Sequence, residues 1–405
     1  MVLIFHLRSL IGNLSLRLPR CFQRKLLPSG ACNVSNNIGS GFNSNGELCE
    51  LDWNFDESNG YYRALLPLSQ FSRPPVNYIS GGAFKVGRST RYYGYISIQL
   101  GDNRMAFYDY SYKKQRYLVI DSLSSMVYPQ FEKAVEAVIY SFGLLSGSLT
   151  RDELMLFRHS EPSFGKVAGF QFRQIEDTIL SSIGTIDPHE HKMYAGLDKA
   201  IHFSEEDFSK LATLCFNELP FKRAIRIITQ SRNLPQEIKT ASFFVALETI
   251  KNLITTSNEE RTRSFKEQDD AIKLILDCRG LVNKLLDSKF NFKKRVLNKL
   301  DQLNDIGNNE SFLMSFELMG LELNSAEIQC IKNRNRFLHG NMPFENEGKG
   351  VKDKELSEIA LRTHDLVCSL ILKYAGCNCY FKNNLKYLNL DDGENKIIEP
   401  LFKKI

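Results

Sequence analysis

The β-strand pattern disappears from this chain beyond Ser204, and that change constrains the fold more than any other feature. Before it lie three short runs rich in β-forming residues, at Tyr92–Leu100, Arg104–Tyr110 and Arg116–Ile120. The turn sequence Gly101-Asp102-Asn103 joins the first two, as in an antiparallel hairpin. After Ser204 the apolar residues recur at helical spacing. The sequence therefore predicts an α+β protein, with a mainly antiparallel sheet first and an all-helical region after it.

The region before Ser204 is predicted to form one domain, spanning residues 47–203. The segment Pro129–Leu145 carries its apolar residues on one face of a helix, and we expect it to pack across the sheet. Two further runs, Leu154–Arg158 and Val167–Arg173, predict additional strands.

The region after Ser204 is predicted to form a bundle of about five or six helices, spanning residues 204–385, followed by a tail at 386–405. Ser204 and the acidic residues after it are typical of a helix N-terminus, and Asn324 with Glu327 predicts another. The remaining helices are predicted at Pro235–Ile254, Glu267–Leu286, Phe290–Leu303 and Asp353–Tyr374.

Composition is that of an ordinary soluble protein. The 405 residues, 43% hydrophobic and 24% charged, are enough for two domains with a sizeable core. The net charge of +5 permits nucleic-acid binding without arguing for it. Nine cysteines without a CxxC spacing indicate a reduced, cytoplasmic chain with no metal site. Because no segment approaches the roughly 18 apolar residues of a membrane span, no membrane partner is expected.

The first 46 residues contain no Asp or Glu, while arginine recurs among leucine, serine and phenylalanine. Organellar targeting segments have such a composition. A leader without targeting function, followed by a Ser/Asn/Gly-rich linker, fits the same residues, and this interpretation is favoured. Residues 1–46 are therefore predicted to be a poorly ordered leader and linker.

The segment Ile331–Gly340, I-K-N-R-N-R-F-L-H-G, places strongly polar residues where a helical pattern calls for core. The apolar stripe of this helix consists of Ile328, Ile331 and Leu338. The stripe is interrupted at Arg334 or Asn335. Since Gly340 is expected to end the helix, His339 is presented at a helix terminus.

This arrangement resembles the HEPN superfamily, whose signature is an arginine, usually a polar residue, and then a histidine at a helix end. The match here is R-N-x-x-x-H-G, from Arg334 to Gly340. The sequence A-L-E-T-I-K-N-L-I at Ala246–Ile254 resembles the first-helix pattern of the ApeA-like HEPN branch. The sequence I-L-K-Y-A-G-C-N-C-Y at Ile371–Tyr380 resembles the closing helix and tail of that branch. The resemblance covers roughly residues 204–384, under half of the chain.

The resemblance implies metal-independent cleavage of RNA, without a cofactor, by a homodimer formed through the helical region. It also suggests a toxin or an anti-phage defence effector. Arg334, Asn335 and His339 would be the catalytic residues. Histidine can carry protons near neutral pH, and the planar fork of arginine can bind two phosphate oxygens. Asn335 shares a helical face with His339 and would orient the imidazole or contact phosphate.

Other residues are candidates for support. Arg336 would add a second cation or be merely solvated, and Glu248 would reach a buried arginine or lie on a solvated flank. The most concentrated basic cluster of the sequence surrounds Phe290 and Phe292, and it offers contacts to RNA phosphates or a solvated helix face. Its members are Lys289, Lys293, Lys294 and Arg295.

The motif fits a second kind of protein as well as a nuclease. Arg334 and His339 would equally fit a polar pair in a catalytically inactive module that binds RNA or nucleotides, or that only dimerises. The domain at residues 47–203 would, by analogy with other effectors, sense a trigger, but its sequence identifies no ligand.

Overall fold

The structure is a computed structural model. It describes residues 50–53, 55, 58–68, 80–86, 89–112, 115–150, 153–164, 167–174, 178–186, 203–258, 269–286, 291–301, 308–338, 349–388 and 400–405. The chain divides into two compact units. The sheet unit comprises Met1–Leu234 and Ala375–Ile405, and the helical unit comprises Pro235–Tyr374. The predicted leader at residues 1–46 lies outside the described residues.

An antiparallel sheet of eight strands dominates the sheet unit. The strands are β1 (Glu50–Trp53), β2 (Tyr61–Leu68), β3 (Ser80–Val86), β4 (Ser89–Leu100), β5 (Asn103–Tyr112), β6 (Gln115–Ser122), β7 (Glu153–His159) and β8 (Val167–Gln174). Their order is β1-β8-β7-β2-β6-β5-β4-β3. Gly101 makes the predicted β4–β5 turn with φ +60°, a conformation that glycine adopts without strain. The predicted strands and the α+β class are thus confirmed.

Helix α1 (Tyr128–Ser146) packs on one face of this sheet, as predicted. The ring of Phe131 stacks on Tyr62 of β2 with a centroid distance of 5.3 Å. Leu65, three residues further along β2, faces the opposite side of the sheet. That side carries a second buried apolar cluster, made of Leu65, Tyr108, Tyr117, Val119, Met155, Phe157, Phe170 and Phe172. Both faces of the sheet are therefore apolar.

Two helices that follow Ser204 belong to the sheet unit rather than to the helical bundle. They are α2 (Glu205–Asn217) and α3 (Leu219–Ser231). Ser204 caps α2 as predicted, in a capping box with Asp207. The rings of Phe208 on α2 and Phe107 on β5 lie 4.7 Å apart. The boundary between the units falls at Leu234 and not at 203, because helical spacing identifies a helix but not the element on which it packs.

The helical unit contains α4 (Gln236–Ser257), α5 (Asp269–Leu285), α6 (Asn291–Asp301), α7 (Asn308–Leu318), α8 (Ser325–Leu338) and α9 (Lys349–Tyr374). Helices α4 and α9 pack against each other, and α7 and α8 pack on α4. The buried core includes Phe243, Leu247, Ile250, Phe312, Ile331, Leu366 and Leu370. The sequence does not predict α7, because the apolar residues from Phe312 to Leu318 are nearly continuous and mark no one-sided stripe.

The C-terminal segment returns to the sheet unit, although the sequence predicts that the bundle continues to residue 385. Strands β9 (Tyr380–Lys382) and β10 (Phe402–Lys404) pair antiparallel, and α10 (Asn384–Leu388) follows β9. The amide nitrogen of Lys382 donates to the carbonyl oxygen of Thr185 at 2.8 Å. The side-chain amide of Asn384 donates to the carbonyl oxygen of Gly184 at 3.0 Å. These hydrogen bonds tie the end of the chain to the segment that precedes α2.

Within the described ranges, none of the helices combines the length and the hydrophobicity needed to cross a bilayer.

Candidate active site on helix α8

The helix that carries the HEPN-like motif begins with the predicted cap. The amide of Glu327 donates to Asn324 Oδ1 at 2.9 Å, and the amide of Asn324 donates to Glu327 Oε2 at 2.9 Å. This reciprocal pair satisfies two of the N–H groups that a helix start leaves without partners. The cap therefore fixes where α8 begins.

Replacing the cap residue tests this role. Asn324→Ala is expected to lower the free energy of unfolding by about 1 kcal/mol, because alanine cannot accept the hydrogen bond from Glu327. Gln329, exposed on the same helix, provides the control. Gln329→Ala should change stability by less than about 0.5 kcal/mol. Urea midpoints of the two variants make the comparison, and equal midpoints would contradict a stabilising cap.

Arg334 occupies the gap in the apolar stripe, and Asn335 does not. The side chain of Arg334 is 1% exposed, whereas that of Asn335 is exposed to solvent. Arg334 Nη1 donates to the side-chain oxygen of Asn309 on α7 and, at 3.3 Å, to the carbonyl oxygen of Ile331. The guanidinium carbon lies 4.2 Å from the ring centroid of Phe312, in a cation–π arrangement.

One nitrogen of this guanidinium is unsatisfied. Nη2 of Arg334 is buried and has no hydrogen-bond partner among the residues that the structure describes. Arginine stays protonated in proteins, so Nη2 offers charged N–H donors to any anion that reaches it. Leaving such a donor unpaired costs about 1–3 kcal/mol, a cost that a bound oxyanion would remove. The side chain is therefore held in place on one edge, and its other edge carries a buried donor that lacks a partner among the described residues.

Two residues of α4 shape the electrostatics around Arg334. Burial lowers the pKa of Arg334, and the half-buried Glu248 acts in the opposite direction. Burial also lowers the pKa of Lys251, with Glu248 raising it and Arg334 lowering it further. The charge of Glu248 therefore favours the protonated form of the buried Arg334, and direct contact between the two side chains stays a prediction. The site contains two cations and one acid.

The remaining motif residues have different outcomes. Asn335 and Arg336 are exposed on α8, so neither contributes to the buried site around Phe312. Phe337 packs on Phe244 of α4, with ring centroids 5.8 Å apart. His339 and Gly340 lie outside the described residues. The placement of His339 relative to Arg334 therefore stays a prediction.

The four members of the basic cluster around α6 have different surroundings. Lys289 lies outside the described residues. Lys293 Nζ donates to the carbonyl oxygens of Leu286 at 2.9 Å and Asn283 at 3.3 Å, which places its charge at the C-terminus of α5. A cation there stabilises the helix end. Lys294 and Arg295 are exposed, and they are the members of the cluster that face solvent.

Sequence reasoning missed three residues of this site, namely Asn309, Phe312 and Lys251. Asn309 and Phe312 lie on the unpredicted helix α7, and their spacing to Arg334 gives no signal. For Lys251 the sequence does contain a signal. This lysine lies four residues after Leu247 and three before Ile254, on the buried face of α4. A lysine at such a position is uncommon unless it is paired or functional.

In the part of the chain that the structure describes, no cluster of three or more His, Cys, Asp or Glu side chains is placed to hold a metal ion. No protein-family model, no curated protein and no solved structure matches this chain, so the chemistry of the site is argued from its own residues.

Proposed function

We propose that this protein is an endoribonuclease that cleaves RNA without a metal, using Arg334 to bind the scissile phosphate and His339 to transfer protons. The observation that supports the proposal most is the buried guanidinium of Arg334, which Asn309 and Phe312 fix while Nη2 has no partner among the described residues. A preorganised cation of this kind stabilises charge that develops on a phosphate oxygen in the transition state.

The reaction needs no group beyond those of the motif and the substrate. A base removes the proton of the RNA 2′-hydroxyl, whose oxygen attacks the adjacent phosphorus. The bond from phosphorus to the 5′-oxygen breaks, and an acid protonates that oxygen. The products are a 2′,3′-cyclic phosphate and a 5′-hydroxyl end. Histidine can serve as base or as acid near neutral pH.

One His339 cannot easily perform both proton transfers at once. This chemical limit supports a homodimer in which the helical units of two chains bring their motifs together. Asn335 and Arg336, exposed on the same helix, would then be available to RNA or to the second chain. Lys294 and Arg295 on α6 are candidates for contacts to flanking phosphates.

A catalytically inactive module is the second candidate. The unsatisfied donor of Arg334 would bind an RNA or nucleotide phosphate equally well if no proton transfer followed. Anti-phage defence, with the sheet unit sensing a trigger, is the biological role that the HEPN resemblance suggests.

Sequencing of RNA ends separates the two candidates. Induced expression of the full chain in a bacterial host is expected to produce new RNA ends that carry 2′,3′-cyclic phosphate and 5′-hydroxyl groups. In vitro, cleavage by the purified protein should persist in excess EDTA, because the proposed chemistry uses no metal. RNA bound by the protein without new ends would favour the inactive module, and loss of cleavage in EDTA would contradict the proposed mechanism.

A further inference from the structure

A second cation shares the aromatic ring that holds Arg334. Lys251 on α4 is 8% exposed, and its Nζ lies 5.0 Å from the ring centroid of Phe312. Since the guanidinium carbon of Arg334 lies 4.2 Å from the same centroid, the two charges are within about 9 Å of each other. This separation is comparable to the Debye length at physiological salt, and the buried surroundings screen the pair even less than bulk solvent would.

Two buried cations so close together repel each other, and each has lost hydration. Burial is the main cause of the lowered pKa of Lys251; Glu248 opposes it by raising the pKa, and Arg334 adds to the lowering. Glu248 is half-buried and carries one negative charge, so it cannot neutralise both. The described cluster of Lys251, Arg334 and Glu248 therefore has a net positive charge, and Nη2 of Arg334 lacks a partner within it.

Lys239 shows that a buried lysine on α4 does not by itself create such a site. It is also 8% exposed, and burial alone lowers its pKa. Unlike Lys251, it has no electrostatic coupling to Arg334. The difference between the two lysines is the shared ring of Phe312 and the guanidinium beside it.

We propose that Lys251 and Arg334 form one phosphate-binding site, in which both cations contact non-bridging oxygens of the same RNA phosphate. The inference rests on the proposed function, which supplies RNA as the ligand. It assigns Lys251 a substrate-binding role that the HEPN-like motif does not contain. A phosphate that contacts both cations would offset their repulsion and supply Nη2 of Arg334 with an acceptor.

Binding to RNA that cannot be cleaved tests this site. A 2′-O-methyl RNA oligonucleotide lacks the attacking hydroxyl, so its dissociation constant can be measured without turnover. The full-length protein is compared with Lys251→Met, Lys251→Arg and Lys239→Met over a series of salt concentrations. Thermal melting of each variant identifies any that do not fold.

Lys251→Met is expected to bind about 10-fold more weakly and to reduce the salt slope by about 0.7, the value for one lost contact to single-stranded RNA. Lys251→Arg keeps the charge and should retain the slope, and Lys239→Met should match wild type. A folded Lys251→Met with wild-type affinity and slope would overturn the inference, whatever the cleavage result. So would an equal loss in Lys239→Met, or a wild-type protein that does not bind the oligonucleotide.

The cleavage arm uses the same proteins with unmodified RNA, and it reports on the proposed function separately. If the binding differences appear as expected but wild type leaves unmodified RNA intact, the phosphate site stands and the nuclease proposal is wrong. If wild type cleaves and Lys251→Met loses affinity as expected, both stand.

Discussion

Replacing His339 with alanine is expected to lower the rate of RNA cleavage by about 1,000-fold and to leave RNA affinity within about twofold of wild type. Alanine can neither take the proton of the 2′-hydroxyl nor protonate the leaving oxygen, so the chemical step is lost. The proposed phosphate contacts come from Arg334, which the substitution leaves in place. Single-turnover cleavage and binding of 2′-O-methyl RNA, measured on the same protein, separate the two effects.

Lys332→Ala is the matched control for this variant. Lys332 is exposed on α8, two residues before Arg334, and its replacement also removes a cationic side chain near the motif. It should cleave like wild type. In a bacterial host, induction of wild type and of Lys332→Ala should arrest growth and degrade RNA, whereas His339→Ala should do neither. Equal degradation by all three proteins would show that His339 has no part in the reaction.

Local signals in the sequence predicted the elements of the fold well. The β4–β5 turn at Gly101, the capping box at Ser204 and the cap at Asn324 all depend on residues within a few positions of each other. Such short-range chemistry can be recognised without knowing the rest of the structure. The predicted strands and most of the helices are confirmed for that reason.

The division into units could not be predicted in this way. Helix α2 has the expected cap and apolar stripe, yet Phe208 packs on Phe107 of the sheet. The stripe reports that one face is buried, and an apolar face fits a sheet as well as it fits a helix. The return of the chain end to Thr185 is a pairing across almost two hundred residues, for which local spacing gives no signal.

In the candidate site, too, local spacing does not predict which residues pack together. The sequence placed the gap in the apolar stripe of α8 at Arg334 or Asn335 and could not choose. Three and four residues after Ile331, they lie about 60° and about 40° to its two sides, both within the width of a buried face. In the structure Arg334 is the buried residue of the two. It packs on Phe312 and donates to Asn309, both on helix α7, which the sequence did not predict. The residues that contact a buried cation come from other segments of the chain, so the sequence predicted the motif but not the residues that pack on Arg334.

Arg334→Lys is expected to reduce cleavage by about 100-fold although it preserves the charge. In the structure the guanidinium uses one edge to bond Asn309 and its face to pack on Phe312, while Nη2 has no partner among the described residues and is proposed to bind phosphate. A lysine ammonium is a single point of donation and cannot meet Asn309 and a phosphate in the same fixed geometry. Because the arginine is buried, we also expect a loss of about 1–2 kcal/mol in the free energy of unfolding.

Arg223→Lys is the control for the exchange of arginine for lysine. Arg223 is exposed on α3 of the sheet unit, so this variant should keep the wild-type cleavage rate and the wild-type free energy of unfolding. Urea unfolding gives the folded fraction of each protein, and cleavage rates are compared at equal folded concentration. A loss of stability without a loss of cleavage in Arg334→Lys would mean that the guanidinium only supports the packing of α7 on α8. A lower cleavage rate of Arg334→Lys at equal folded concentration would support a contact between Nη2 and the substrate phosphate, since lysine cannot reproduce that contact.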